Sequence, residues 1–156
     1  LAAGGNPNKF EFPLPFRESS EVAFSFSGMK TALRYKLQAM SAAEVEAQKA
    51  DIAASFQAAV VAAIVFMTKR ALKKNGNYKS IGLCGGVAQN TLLRESLQKL
   101  AEEFALPIYR AEPKHCGDNA AMVAFAAWVD GTGVREAKTF DPGLTIDQID
   151  QTAPLR

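Results

Sequence analysis

Histidine and cysteine are scarce in this sequence of 156 residues, which holds one histidine and two cysteines. A single histidine cannot build a histidine-rich metal site by itself, and no serine shows the partner pattern of a Ser-His-Asp hydrolase. Two cysteines without a paired framework argue against a disulfide scaffold and predict a reducing, cytoplasmic setting.

Long apolar runs and a signal peptide are also missing. The longest apolar run, residues 58–67, is too short to span a bilayer, so we expect no membrane contact. The net charge of +2 is too small to predict a nucleic-acid binder by itself. The sequence starts without a methionine, a basic region or an apolar signal segment, which predicts a fragment or a processed chain.

What is present fits one domain with a core of its own. Hydrophobic residues make up 48% of the sequence and charged residues 22%, which is ordinary for a globular protein. Glycine and proline predict an irregular lead-in over residues 1–20. We expect an α/β lobe over residues 21–135 and a tail with few large apolar residues over 136–156.

The first predicted elements are a strand and two helices. Residues 22–26 alternate as a strand does, and residues 29–38 have helical character, with Ser27 as a candidate cap. A capping-box pattern at Ser41 begins a helix that runs to about residue 74. The stripe that we expect this helix to bury comprises Ile52, Phe56, Val60, Ile64 and Met67.

A basic cluster ends this long helix. It consists of Lys69, Arg70, Lys73 and Lys74 and is followed by Asn-Gly. Cations at a helix C-terminus match the helix dipole, which is the simpler interpretation of the cluster. The alternative is a contact to an RNA backbone.

A β-α-β unit occupies the middle of the chain. Residues 80–83 and 106–110 are predicted as strands, and residues 89–104 as the helix between them. The helical connection makes the two strands parallel, and we expect its crossover to be right-handed. Ligands of such sheets bind beyond the carboxyl ends of the strands. We expect a further helix that is capped by Asp118 or Asn119, with a stripe of Met122, Phe125, Ala126 and Val129.

Two adjacent glycines, Gly85 and Gly86, follow the first strand of this unit. Glycines at a strand-to-helix turn let the backbone approach a ligand closely, and a helix N-terminus attracts an anion such as a phosphate. Asn90 is predicted in the first turn of the helix, with its amide facing the same crevice. Plain packing of the turn is the alternative interpretation.

The loop beyond the second strand carries His115, Cys116 and Asp118. Asp118 is either a helix cap or a metal ligand, and the three residues together suggest a zinc or iron site whose other ligands lie elsewhere. Cys84 and Cys116 follow successive strands, so a disulfide is possible, but free buried thiols are favoured.

Three segments of the chain resemble one family. They are Phe24-Ser-Phe-Ser-Gly-Met-Lys-Thr31, Gly85-Gly-Val-Ala-Gln-Asn90 with Leu93-Arg94, and Cys116-Gly-Asp-Asn-Ala-Ala-Met122. In order and spacing they are similar to the TsaD family, the catalytic subunits of tRNA N6-threonylcarbamoyladenosine synthase, formerly named O-sialoglycoprotein endopeptidase or glycoprotease. The resemblance covers residues 1 to about 133 and fits the C-terminal half of the family.

The resemblance implies an α/β fragment of an actin-like, sugar-kinase-like ATPase fold of the ribonuclease H-like type, a sheet with packed helices. It implies transfer of threonylcarbamoyl from threonylcarbamoyl-adenylate to N6 of the adenosine beside the tRNA anticodon, an acyltransferase reaction. Asn90, Gly85 and Gly86 would bind the adenylate or an ATP-type nucleotide. Asp118 would be one ligand of a divalent iron or zinc ion, with TsaB- and TsaE-type proteins as partner subunits.

The chain also departs from the family. The two metal-binding histidines of the family's H-x-x-x-H motif do not occur in it, and Gly117 stands where threonine is common. The resemblance therefore predicts that this chain alone neither holds the metal tightly nor turns over. Two other functions stay open at this point: a metalloprotease, after the older family label, and a non-catalytic partner subunit of the same fold.

Overall fold

The computed structural model of the chain describes residues 1–117 and 120–130. The helices and strands are α1 (Ser27–Gln38), α2 (Ala42–Asn75), β1 (Ile81–Leu83), α3 (Thr91–Glu103), β2 (Ile108–Arg110) and α4 (Ala120–Asp130). Short 3-10 turns lie at Ala2–Gly4, Gly86–Gln89 and Pro113–His115. The predicted tail, residues 136–156, lies outside the described residues.

The two strands form the predicted parallel pair. Ile81 is opposite Ile108 and Leu83 is opposite Arg110, with α3 as the crossover between the strands. The pairing continues at both ends, since Ile81 N–H donates to the Pro107 carbonyl at 2.9 Å and Ala111 N–H donates to the Leu83 carbonyl at 3.0 Å. The β-α-β prediction is therefore confirmed.

Helix α2 begins and ends at the residues that the sequence indicates. The Ser41 side chain accepts from the backbone of Glu44, and the Glu44 carboxylate accepts from the backbone of Ser41, which is a complete capping box. Gly76 ends the helix in the left-handed conformation, with φ of 63°. The predicted start and end of this helix are confirmed.

Helix α2 is also the one helix of the described residues that is long and apolar enough to cross a membrane. Its unbroken apolar run, residues 58–67, is shorter than a membrane span, because polar residues interrupt the apolar part of α2. Helix α2 contacts α1, α3 and the N-terminal 3-10 turn.

The hydrophobic core lies between α2, α3 and β1. Its buried side chains are Val61, Leu72, Ile81, Leu93, Leu97, Leu100 and Ala101. Helix α3 contributes three leucines at helical spacing, Leu93, Leu97 and Leu100, and the half-buried Phe104 packs against this cluster. Of the stripe predicted for α2, Ile52 and Met67 are buried, whereas Phe56, Val60 and Ile64 are half-buried.

The predicted strand over residues 22–26 is wrong. This segment has no regular secondary structure, because a strand needs a neighbour and the two described strands pair with each other. Phe24 and Phe26 stack instead, with ring centroids 6.5 Å apart. Ser27 is not a cap either: it is the first residue of α1, and its hydroxyl lies 3.1 Å from that of Ser25.

Three residues of the stripe predicted for α4 are exposed, and the side chain of the fourth, Ala126, lies outside the described part of the structure. Met122, Phe125 and Val129 are 49%, 63% and 49% exposed. An amphipathic pattern predicts a helix but not the element that covers it. The predicted caps of α4, Asp118 and Asn119, lie outside the described residues.

The lead-in is irregular, as predicted, and its first ten residues dock on α2. The hydroxyl of Ser55, which is only 1% exposed, donates to the Asn6 carbonyl at 3.0 Å and accepts from Phe10 N–H at 3.2 Å. The Asp51 carboxylate accepts from Asn6 N–H at 2.8 Å and from the Lys9 ammonium at 2.7 Å. Two polar residues of α2 thus hold the start of the chain.

Acid should weaken this docking and the start of α2. The hydrogen bond from Lys9 lowers the pKa of Asp51 from its ordinary 3.8, and the hydrogen bond from the Ser41 backbone lowers the pKa of Glu44 from 4.5. A carboxyl whose pKa is lower in the folded state stabilises the fold above its unfolded pKa. The contribution of each carboxyl to stability is lost as the pH falls from its ordinary pKa, 3.8 for Asp51 and 4.5 for Glu44, through its lower pKa in the folded state. We expect the free energy of unfolding to drop over this range in urea titrations, and Asp51→Asn to flatten the drop. An unchanged pH slope for that variant would contradict this assignment.

Candidate functional site

The two glycines after β1 form an open turn. Gly85 has φ of 85° and ψ of 170°, a conformation that favours glycine, and both glycines are exposed. A Cβ added at Gly85 would meet no atom within 4 Å, and one at Gly86 would meet only the Cys116 carbonyl oxygen, at 4.0 Å. The backbone at this turn is therefore accessible to a ligand.

Helix α3 does not follow the glycines directly. The 3-10 turn Gly86–Gln89 intervenes, so the prediction of a helix from residue 89 is corrected to a start at Thr91. Ala88, 2% exposed, closes the turn, since its N–H donates to the Gly85 carbonyl at 3.0 Å and its carbonyl accepts from the Arg94 guanidinium. The positive end of the α3 dipole is thus set back from the glycine pair.

Asn90 is the cap of α3 rather than a residue of its first turn. Its Oδ1 accepts from Leu93 N–H at 3.0 Å, which satisfies one of the free donors at the helix start. Its Nδ2 donates to Oε1 of Gln57 on α2 at 3.1 Å. The half-buried Asn90 amide therefore joins the site to the long helix.

Sequence reasoning missed Gln57. The two residues lie 33 positions apart, and no local pattern links them. The available signal was a polar side chain within the apolar part of α2, beside Phe56. Such a residue needs a hydrogen-bonding partner when it is partly buried.

The loops after β1 and β2 lie side by side, as predicted for the carboxyl ends of parallel strands. Gln89 Nε2 donates to the Pro113 carbonyl at 3.4 Å, and a Cβ added at Gly86 would lie 4.0 Å from the Cys116 carbonyl oxygen. The Cys116 thiol is buried and donates to the Ala111 carbonyl at 3.6 Å, whereas Cys84 is exposed. Both thiols are free, which confirms that part of the favoured prediction. The predicted burial is confirmed for Cys116 and is wrong for Cys84.

The residues that the structure describes do not make a metal site by themselves. Over 1–117 and 120–130, no three His, Cys, Asp or Glu side chains lie together as metal ligands would. His115 is exposed, and Glu112 pairs with Lys114 at 2.9 Å. Asp118 lies outside the described residues, so its role and its place relative to Asn90 stay predictions.

Half of the basic cluster at the end of α2 is used inside the chain. Lys69 pairs with Glu103 of α3 at 2.6 Å. The Arg70 guanidinium lies 4.6 Å from the ring centroid of Phe66 and donates to three carbonyl oxygens of the segment before α1, those of Phe16, Arg17 and Glu21. Lys73 and Lys74 remain exposed beside Ser19 and Ser20. The alternative of an RNA contact at this cluster stays a prediction.

An apolar groove adjoins the glycine turn. Its volume is about 570 Å³, and it is lined by Phe24, Phe26, Lys30, Phe56, Val60, Ile64 and Val87. Val87 directly follows Gly86 and is 66% exposed. The groove explains why the middle of the α2 stripe is only half-buried.

The chain is similar in sequence to one family of known proteins. The sequence model of the TsaD family, described as tRNA N6-adenosine threonylcarbamoyltransferase, matches residues 1–125. A protein of that name from Thermosipho africanus is 39% identical over 154 residues, which cover 99% of this chain and 43% of the relative. Another, from a Nitratiruptor species, is 40% identical over 129 residues, which cover 81% of this chain and 38% of the relative. The chain thus spans about two fifths of the length of these curated relatives.

Proposed function

This chain belongs to the TsaD family of tRNA N6-adenosine threonylcarbamoyltransferases, and we propose that it supplies the adenylate-binding part of such an enzyme. The reaction transfers a threonylcarbamoyl group from threonylcarbamoyl-adenylate to N6 of the adenosine next to the tRNA anticodon. The observation that carries the proposal is the open Gly85–Gly86 turn, with Asn90 four residues beyond it, inside the matched residues 1–125.

The residues of the turn suit an adenylate. A glycine backbone without a nearby side chain lets a phosphate approach closely, and the Asn90 amide keeps hydrogen-bonding capacity for a nucleoside. In the transfer, N6 attacks the carbamoyl carbon, the bond to the phosphate breaks, and AMP leaves. Groups that hold the phosphate in place would stabilise the charge that develops on this leaving group.

The wider assembly belongs to the same proposal. We assign to the fold the actin-like, sugar-kinase-like architecture, to which the small parallel sheet and its packed helices conform. Asp118 would contribute one ligand to a divalent iron or zinc ion, and two histidines from outside this sequence would complete the site. tRNA and TsaB- and TsaE-type subunits would be the partners, in the cytoplasm.

Titration with AMP tests the proposal on the chain as it stands. We expect saturable shifts of the backbone amide NMR signals of Gly85, Gly86 and Asn90. Asn90→Ser keeps an oxygen that can cap α3 but loses the amide, so it should weaken the affinity for AMP about tenfold. Asn77→Ser, in an exposed loop, is the matched control and should leave the affinity unchanged.

Three results would oppose the proposal. An absence of saturable shifts at the glycine turn would contradict adenylate binding there. Shifts confined to another surface would have the same consequence. Equal affinity of the wild type and Asn90→Ser would favour the non-catalytic partner subunit instead.

A further inference from the structure

The contact between Gln57 and Asn90 has a use beyond packing. An asparagine amide offers two N–H donors and two acceptor lone pairs on oxygen. Leu93 N–H takes one lone pair at 3.0 Å, and Gln57 Oε1 takes one N–H at 3.1 Å. One N–H and one lone pair of the half-buried amide remain uncommitted among the described residues.

The two anchors fix one orientation of this amide. A 180° flip would place the Asn90 NH₂ group against Leu93 N–H, a donor against a donor, so the backbone fixes which end of the amide is the oxygen. The NH₂ end then faces Gln57, which presents its own oxygen Oε1 to it. The bond from Leu93 alone holds only the oxygen end, and the amide plane can still tilt about it. The bond to Gln57 holds the nitrogen end and removes that freedom.

We propose that Gln57 is a positioning residue, which orients the free N–H and lone pair of Asn90 toward a nucleoside. This inference rests on the proposed function, in which Asn90 contacts the adenylate. It also explains a polar residue in this part of α2, where Gln57 borders an apolar cavity of about 350 Å³ together with Leu33, Leu37 and Ile52. A partly buried amide at such a position is destabilising unless it is hydrogen-bonded.

The inference predicts a different result for each of two substitutions of Gln57. Gln57→Met keeps the unbranched shape of the side chain but removes the acceptor. Gln57→Glu keeps an acceptor oxygen and should rescue the orientation. Gln48→Met on the same helix is the matched control, because no hydrogen bond joins Gln48 to the site. Adenosine is the probe, since it is neutral and the added charge of Gln57→Glu has no phosphate to repel.

We expect Gln57→Met to shift the side-chain NH₂ signals of Asn90 and to speed their hydrogen exchange, whereas Gln57→Glu retains their protection. Affinity for adenosine should fall about 3- to 10-fold in Gln57→Met and less than about 3-fold in Gln57→Glu, in line with one lost hydrogen bond. In an Asn90→Ser background, Gln57→Met should have no further effect on affinity, because the group that it positions is gone.

The outcomes separate this inference from the proposed function. Unchanged Asn90 NH₂ signals in Gln57→Met would overturn the positioning role, whether or not adenosine binds. A loss of affinity of equal size in the wild-type and Asn90→Ser backgrounds would also overturn it, since the effect would then be structural. If Asn90→Ser binds adenosine as well as the wild type does, the proposed function fails. The Asn90 NH₂ signals of the wild type and of Gln57→Met, compared without ligand, still report whether Gln57 orients the amide.

Discussion

Gly5→Ala is expected to detach the first ten residues from α2 and to lower the free energy of unfolding by about 2–4 kcal/mol. The alanine Cβ would lie 2.0 Å from the Ala50 carbonyl oxygen, 2.3 Å from its carbon and 2.7 Å from the Asp51 nitrogen. All three atoms belong to the backbone of α2, so no side chain can rotate away to relieve the clash.

The magnitude follows from the contacts that the displaced segment would lose. The bonds between Asn6 and both Asp51 and Ser55 would break, and so would those of Lys9 and Phe10. The two bonds of the deeply buried Ser55 hydroxyl contribute about 0.5–1.5 kcal/mol each, and this hydroxyl would be left without its partners until water reaches it.

Gly4→Ala provides the matched control. The same methyl group one residue earlier meets no atom within 4 Å, so a change below about 0.5 kcal/mol is expected. Urea unfolding measures the stability of both variants, and limited proteolysis within residues 1–10 measures the detachment. Equal stability of the two variants, or protection of Gly5→Ala from the protease, would show that the close approach of the lead-in to α2 is absent in solution.

Leu97→Ala should destabilise the chain by about 2–5 kcal/mol, the range for a truncated leucine in a packed core. Leu97 is 3% exposed and belongs to the cluster that joins α2, α3 and β1. The loss includes the transfer of the removed methyl groups and the cavity that they leave. Because α3 begins at the Asn90 cap, loosening of this helix should also weaken the response of the Gly85–Gly86 turn to AMP.

Leu92→Ala is the comparison for this second substitution. Leu92 lies on the same helix but is 36% exposed, so its truncation should cost less than about 1 kcal/mol. Urea unfolding curves of the two variants test the difference. If Leu92→Ala proved as damaging as Leu97→Ala, the assignment of the inner face of α3 would be wrong.

Local patterns in the sequence predicted much of this fold. The capping box of Ser41 and Glu44 acts over three residues, and its geometry is independent of the rest of the chain. The parallel pairing of β1 and β2 follows from the helix that connects them, since such a crossover returns the chain to the same end of the sheet. The buried leucines of α3 follow from helical periodicity alone.

Features that depend on distant partners could not be predicted in this way. Residues 22–26 have the alternation of a strand, but no neighbouring strand among the described residues is available to pair with them. The anchor of Asn90 lies 33 positions earlier in the chain, and the Asn6 carbonyl lies 49 positions before the Ser55 hydroxyl that binds it. Each of these contacts joins residues that are far apart in the chain, so no repeating pattern in the sequence indicates it.

The bonds of Arg70 impose an order on folding during synthesis. Its guanidinium reaches the Phe16 carbonyl across 54 residues and thereby closes a loop that contains α1 and most of α2. A ribosome adds about 5–20 residues per second, so roughly 3 to 11 seconds separate the synthesis of the two ends of this loop. During that interval the lead-in emerges without its anchors at positions 51, 55 and 70, and a chaperone or a protease can reach it before the loop closes.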